Sequence, residues 1–175
     1  MIETEGSAAL SLRELAKRAA VSPAAVYRHF ADREALLAAV AAEGFVGLNA
    51  AFAAGLSVAG PDPADRLHGL GAAYVDFALS HRGLYRLMFG AGQTVDAPYP
   101  GLREQSEQAY ATLVAAVTAC SDSGAPEEAV AAAAIAAWSL VHGYVMLRLE
   151  GPLAHLPPEA LPDAAAVLVN LLPKL

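Results

Sequence analysis

The stretch SLRELAKRAAVSPAAVYRHFADREALLAAV, residues 11–40, contains three helix starts in close succession. In SLRE, the Ser11 hydroxyl is placed to accept the Glu14 amide while the Glu14 side chain reaches back, the reciprocal arrangement of a capping box. Leu12, Leu15, Ala16 and Ala19 follow at helical spacing, which leaves Arg13, Lys17 and Arg18 on the wet face. The second start is Ser22 with Pro23 at the first helical position, where a missing amide costs no hydrogen bond. That helix is short, running to about Phe30. Asp32 opens a third through Leu36, Leu37 and Val40 towards Leu48 or Phe52. Two short helices joined by three or four residues have the proportions of a DNA-reading helix-turn-helix.

Proportion alone is weak evidence, and the residue types strengthen it. Tyr27, Arg28 and His29 are adjacent at the end of the second helix, and Arg33 lies in the first turn of the third. A phenol, an imidazole, guanidinium groups and free helix-terminal amides are the usual means of anchoring phosphates. A basic, solvated corner of a helical bundle, with Tyr27 and Phe30 filling its core, would use the same residues. The coincidence of two helix starts, a tight turn and a basic face favours nucleic acid. Lys17 and Arg18 would serve the C-terminal dipole of their helix as readily as a phosphate.

Charge is distributed to match. The net charge is -7, yet residues 11–30 carry Arg13, Lys17, Arg18 and Arg28 against the single acid Glu14, while residues 35–175 hold six Lys/Arg against thirteen Asp/Glu. A local basic face on an acidic body is compatible with DNA, because phosphate contacts are short-ranged at physiological salt. A length of 175 residues suits a small head joined to a medium body. Hydrophobic residues at 56%, charged residues at 17%, abundant alanine and no sustained alternation imply an all-α fold.

Several classes are disfavoured. The lone cysteine, Cys120, cannot form an internal disulfide, and without a CxxC or Cys/His group it forms no metal site. A reducing cytoplasm fits, and the acidic N-terminus MIETEGSAAL lacks the basic region of a signal peptide. Five scattered histidines, with no phosphate loop, HExxH, GxSxG or carboxylate pair at helical spacing in an apolar setting, assign no catalytic residue and no cofactor. An enzyme is not expected. The stretch from Ala129 to Leu147 is long enough to cross a membrane, but seven of its residues are alanine and charges bound it closely. It reads as a buried helix of a protein with no membrane partner.

Elsewhere, Gly55 to Pro63 reads as a joint, and Asp62 and Pro63 open a long helix marked by Leu67, Leu70, Tyr74, Phe77 and Leu84. Residues 90–101 read as a loop. Leu102 to Cys120 is a helix, another runs from Pro126 to a stop at Gly151 and Pro152, and a last one spans 163–172.

Residues 11–40 closely resemble the DNA-binding head of the TetR family of regulators. The resemblance implies that Ser22 opens the recognition helix, and that Pro23, Ala24, Ala25 and Arg28 match its major-groove positions. Tyr27, His29 and Arg33 match phosphate-gripping positions, and Ser11 a backbone-contacting cap. Two departures stand out. Ala20 occupies a turn position often held by glycine, which costs about 1 kcal/mol if its φ is positive. MIETEG leaves room for only the last turn of a first helix, so Leu12, Leu15, Val26 and Phe30 are expected to lose cover, at about 25 cal/mol per Å² left wet. On that account the chain should dimerise but bind DNA weakly until an upstream helix is restored.

AAWSLVHGYVMLRLEG, residues 136–151, resembles the Trp-His-Gly signature of one subgroup of TetR C-terminal domains. Trp138 and His142 lie four apart on one face, and Gly143 permits close helix approach. The resemblance implies a homodimer through a four-helix interface, a head over residues 1–48, and a ligand-binding and dimerisation body over 49–175. Tyr74, Phe77, Met88, Tyr110 and Trp138 could line an effector cavity with His142 as polar contact, although ordinary core is the commoner role of such aromatics and a structural hydrogen bond that of such a histidine. The implied function is a ligand-responsive repressor on a double-stranded DNA operator, with an unknown small-molecule effector. The alternative is a helical ligand-binding or dimerisation protein that does not bind DNA.

Overall fold

The computed structural model describes residues 2–7, 10–90 and 99–161. The described residues form helices and contain no strand: α1 (Ile2–Glu5), α2 (Leu12–Arg18), α3 (Pro23–Tyr27), α4 (Arg33–Val58), α5 (Pro63–Ser80), α6 (Arg82–Phe89), α7 (Pro100–Cys120) and α8 (Glu127–Leu149). Short 3-10 turns at Pro152–His155 and Pro158–Ala160 follow. The fold is all-α, as composition implied. The helix expected over 163–172 lies outside the described residues, as does most of the loop expected over 90–101. The chain divides into two compact units, one comprising Met1–Gly47 with His81–Glu107 and the other Leu48–Ser80 with Gln108–Leu175.

In the first unit Leu10, Leu12, Ala16, Val26 and Leu36 form a core in which none is more than 6% exposed. The expectation that Leu12 and Val26 lose cover is therefore overturned. Ile2 of α1 packs onto the cluster, and Leu10 plugs it from the segment before α2; Leu15 and Phe30 pack half-buried at its rim.

Two contacts hold α1 in place. Its Glu5 carboxylate accepts from Arg18 Nη2 at 2.9 and 3.0 Å. Its Glu3 carboxylate accepts from the backbone amides of Gly83 at 2.7 Å and Leu84 at 2.9 Å, which are orphan donors of the first turn of α6. Gly83 has to be glycine here, because a Cβ would strike the Ile2 carbonyl oxygen and lie 2.8 Å from Glu3 Cα. This corrects the single long helix expected from Leu67 to Leu84. The chain breaks at His81 (φ -125°, ψ 53°) and restarts at Arg82, and Glu3 caps the fresh N-terminus so created.

In the second unit Leu67, Val117, Val130 and Ala134, from α5, α7 and α8, make a core with Leu113, Val114 and Cys120 against it. The joint expected from Gly55 begins later, since α4 continues to Val58. Gly55 serves a close crossing instead: a Cβ there would lie 3.0 Å from the Gly69 carbonyl oxygen and 3.2 Å from Ala73 Cβ.

α8 was expected to be a buried helix, and within one chain it is buried along one stripe only. Val130, Ala134, Ala137, Val141, Val145 and Leu149 form one buried stripe at helical spacing. On other faces Ile135 is 55% exposed, Leu147 45% and Met146 37%, and Gly143 has nothing within 4 Å of its missing Cβ. Helices α4 and α8 are long and apolar enough to cross a membrane by length and composition, but each buries part of its surface within the protein.

Candidate nucleic-acid interface

The head is built by caps. Ser11 is extended (φ -139°, ψ 152°) and its Oγ accepts from the Glu14 amide at 3.2 Å. Glu14 does not complete the expected reciprocal box; its carboxylate takes Arg18 Nε at 2.9 Å. That bond, ahead of the charges of Lys17 and Arg18, holds the Glu14 carboxyl below its usual range, and Glu14 and then Glu5 raise Arg18. Arg18 is thus committed to two acids of its own head, while Arg13 and Lys17 are exposed.

α2 ends in a Schellman closure. Val21 N donates to Ala16 O at 3.0 Å and Ala20 N to Lys17 O at 3.2 Å, which satisfies two of the last orphan carbonyls. The closure needs a left-handed residue at the position after the cap, and Ala20 takes it with φ 54°. The turn then delivers Ser22, whose Oγ accepts from Ala25 N at 3.2 Å, and Pro23 opens α3.

α3 has a single buried residue, Val26, and both His29 N and Phe30 N close on the Val26 carbonyl at 3.0 Å. This local geometry exposes Ser22, Pro23, Ala24, Tyr27, Arg28 and His29, with Ala25 half-buried. A tyrosine 51% exposed beside an arginine and a histidine is an unusual use of a large ring, and it leaves a phenol, a guanidinium and an imidazole in solvent at the end of α3.

Arg33 stands apart from that group. Asp32 Oδ1 caps α4 by accepting from Ala35 N at 2.8 Å, and the Arg33 guanidinium turns back to the segment before α2. Its Nε donates to Leu10 O at 2.9 Å and its Nη2 to Ser7 O at 2.7 Å. Those acceptors are backbone atoms more than twenty residues away, and no residue type in the sequence marks them.

The residues expected to line a cavity are divided between the units. Met88 belongs to the first, where it lies over Gly44. In the second, Tyr74 of α5 joins the two signature residues of α8: Trp138 Nε1 donates to the Tyr74 hydroxyl at 3.2 Å, and that hydroxyl lies 3.0 Å from His142 Nδ1. An indole N–H can only donate, so the Tyr74 oxygen accepts from it and its own proton can be given to Nδ1 of a neutral His142. Burial alone pulls the His142 pKa below its ordinary value. Phe52 stacks on Tyr74 at 6.4 Å and Tyr110 tilts against Trp138 at 6.3 Å. Phe77 is buried on α5, whereas Tyr110 and Trp138 are each 38% exposed. The sequence counted Tyr74 as apolar lining and missed that its hydroxyl is the link. Among the described residues no group of three or more His, Cys, Asp or Glu could hold a metal.

Residues 1–40 match the family described as bacterial regulatory proteins, tetR family, and residues 67–172 match the tetracyclin repressor-like C-terminal domain. No curated protein matches the chain. Among solved structures, a protein of unknown function from Rhodococcus sp. RHA1 is 34% identical, with a TM-score of 0.78 over 97% of this chain and 84% of that one. The crystal structure of a regulatory protein is 27% identical at TM-score 0.71, covering 98% of this chain and 89% of that one. The TetR family transcriptional regulator PfmR from Thermus thermophilus is 24% identical at TM-score 0.62, over 93% of this chain and 85% of that one, a likeness of fold.

Proposed function

The chain belongs to the TetR family of bacterial regulatory proteins, and on that premise we propose that it is a ligand-responsive repressor whose paired heads grip a double-stranded DNA operator. The observation that carries this reading is the exposed Tyr27, Arg28 and His29 group, set at the C-terminal end of a short helix that Ser22 caps and Pro23 opens. Under it, residues 1–48 are the head and 49–175 the body. Pro23, Ala24, Ala25 and Arg28 face the groove, while Ser11, Ser22, Tyr27 and His29 hold the backbone on either side.

Two heads have to lie about one or more DNA turns apart to meet two half-sites, so a homodimer is part of the mechanism. The uncovered Ile135, Gly143, Met146 and Leu147 of α8 support a second copy as its cover. In the second unit, Tyr74, Phe77, Tyr110, Trp138 and His142 are the effector-binding set, with the Tyr74–Trp138–His142 bonds as its polar element. An effector preferred by one spacing of the heads would shift the population towards it and change operator affinity, and the protein would act in the cytoplasm.

The test is a titration with genomic duplex fragments at several salt concentrations. The chain should bind with affinity falling steeply with salt, and replacing both Arg28 and His29 with alanine should weaken binding to every fragment. Loss of the Arg28 charge from beside the phosphates should flatten the log-affinity against log-salt slope by at most about 0.9. Binding that ignores both the substitutions and salt would leave the chain as a dimerisation and ligand-binding protein.

A further inference from the structure

We infer that Arg33 is a positioning residue, whose guanidinium fixes the start of α2 to the start of α4, and is not a phosphate anchor. Its effect on affinity rests on the DNA-binding reading, while the geometry behind it does not. The segment before α2 is closed by Leu10 N donating to Ser7 O at 3.2 Å, and the guanidinium binds the carbonyls at both ends of that closure, Ser7 O at 2.7 Å and Leu10 O at 2.9 Å. Leu10 is 5% exposed in the core of the head, and the next residue, Ser11, is the N-cap of α2. Two donors of a rigid planar fork therefore set both the distance and the angle between the Ser11 cap and the first turn of α4.

Local helix energetics do not account for a cation at this place. Arg33 is the first residue of α4, where the positive end of the helix dipole repels it, and the cap is already supplied by Asp32. What favours arginine is the pair of carbonyls within reach of its fork. Turning the guanidinium out to a phosphate would break both bonds and release the segment that carries Ser11. A lysine could satisfy one carbonyl as a point charge but could not span the two.

Three variants separate the two roles: Arg33→Ala, Arg33→Lys, and Arg33→citrulline introduced by ligating a synthetic N-terminal segment, which keeps the N–H fork and removes the charge. Amide exchange over residues 10–15 is measured in the free protein, and duplex binding is titrated against salt. Citrulline should keep both the protection and the salt slope of the unmodified chain. Alanine and lysine should each lose about tenfold in protection and in affinity, with the slope unchanged, because residue 33 displaces no counterion. Lysine at full affinity, with alanine and citrulline flattening the slope by about 0.9, would overturn the assignment. Unaltered protection in Arg33→Ala would also overturn it whether or not the chain binds DNA, so failure of the DNA-binding reading remains a separate result. If Arg33→Ala does not fold, the lysine and citrulline chains decide between the same outcomes.

Discussion

Replacing Ala20 with glycine should stabilise the protein, although it removes a methyl group and adds chain freedom. Ala20 closes the α2–α3 turn at φ 54°, and the two hydrogen bonds of that closure, Val21 to Ala16 and Ala20 to Lys17, are made only with a left-handed residue there. An L-residue with a Cβ pays roughly 1–2 kcal/mol in that region, where Cβ crowds the following carbonyl oxygen. Glycine removes the crowding but has about 0.5–1 kcal/mol more backbone entropy to lose on folding. At the middle of both ranges the difference leaves Ala20→Gly more stable by about 0.75 kcal/mol. For a chain of this length that is a rise of roughly 1–4 °C in melting temperature. Ala20→Val should move the other way, because a β-branched side chain is a worse occupant of positive φ. Thermal and urea unfolding followed by circular dichroism read both shifts, with the urea midpoint moving at constant m. Operator affinity should be retained in the glycine variant, since the turn geometry is the same. A glycine variant equal to or weaker than the parent, or a neutral valine variant, would show that the turn does not hold Ala20 at positive φ.

Gly143→Glu places a charge on the open face of α8, and sedimentation should show monomer or aggregate in place of dimer; an intact dimer would remove that position from the interface. His142 is held below its ordinary pKa by burial, so the folded state binds its proton less readily than the unfolded state does. Stability should be present above about pH 6.5 and decline as pH falls below it, and His142→Gln should flatten that decline in urea midpoints taken between about pH 7.5 and 5. Because Arg18 and Arg33 are bound within the head, Arg13, Lys17 and Arg28 are the exposed cations left there among the described residues. A dimer then has an upper count of about six phosphate contacts and a log-log salt slope no steeper than about -5.4; a slope near about -9 would mean that both arginines leave their partners on DNA.

Most of the head was legible because its signals are local. Ser11, Ser22 and Asp32 cap helices from positions three residues away, and helical spacing reveals the buried Leu12 and Ala16 and the half-buried Leu15, although Ala19 at the same spacing is exposed. What the sequence could not yield depends on distant partners. The break at His81 is fixed by Glu3, some eighty positions earlier, and Arg33 by carbonyls that every residue type carries. Gly55 looked like a helix stop because glycine serves both ends of helices and close crossings, and only Gly69 opposite it decides which. The apolar run of α8 showed no periodicity to divide, so a helix with one buried stripe read simply as a buried helix. Tyr74 was read for its apolar spacing, which says nothing about the hydroxyl that links Trp138 and His142.

The division of labour in the head follows from how little α3 can hold by itself. A five-residue helix is far below the length that persists alone in water, so its stability is tertiary. Val26 is its one buried side chain, the Ser22 cap contributes about 1 kcal/mol, and the Ala20 turn subtracts a similar amount. Its orientation is therefore owed to neighbours: Leu10, Leu12, Ala16 and Leu36 around Val26, and the Arg33 fork that ties the α2 cap to α4. Exposed Pro23, Ala24 and Arg28 contribute almost nothing to that framework, which leaves them replaceable without loss of fold. Under the proposed function, the small side chains of Pro23, Ala24 and Ala25 let the α3 backbone approach the groove floor, and Arg28 is then the one long donor from this face that can reach a base edge. Sequence preference should accordingly centre on a guanine opposite Arg28, whose paired acceptors match a guanidinium, with apolar contact to thymine methyls beside it.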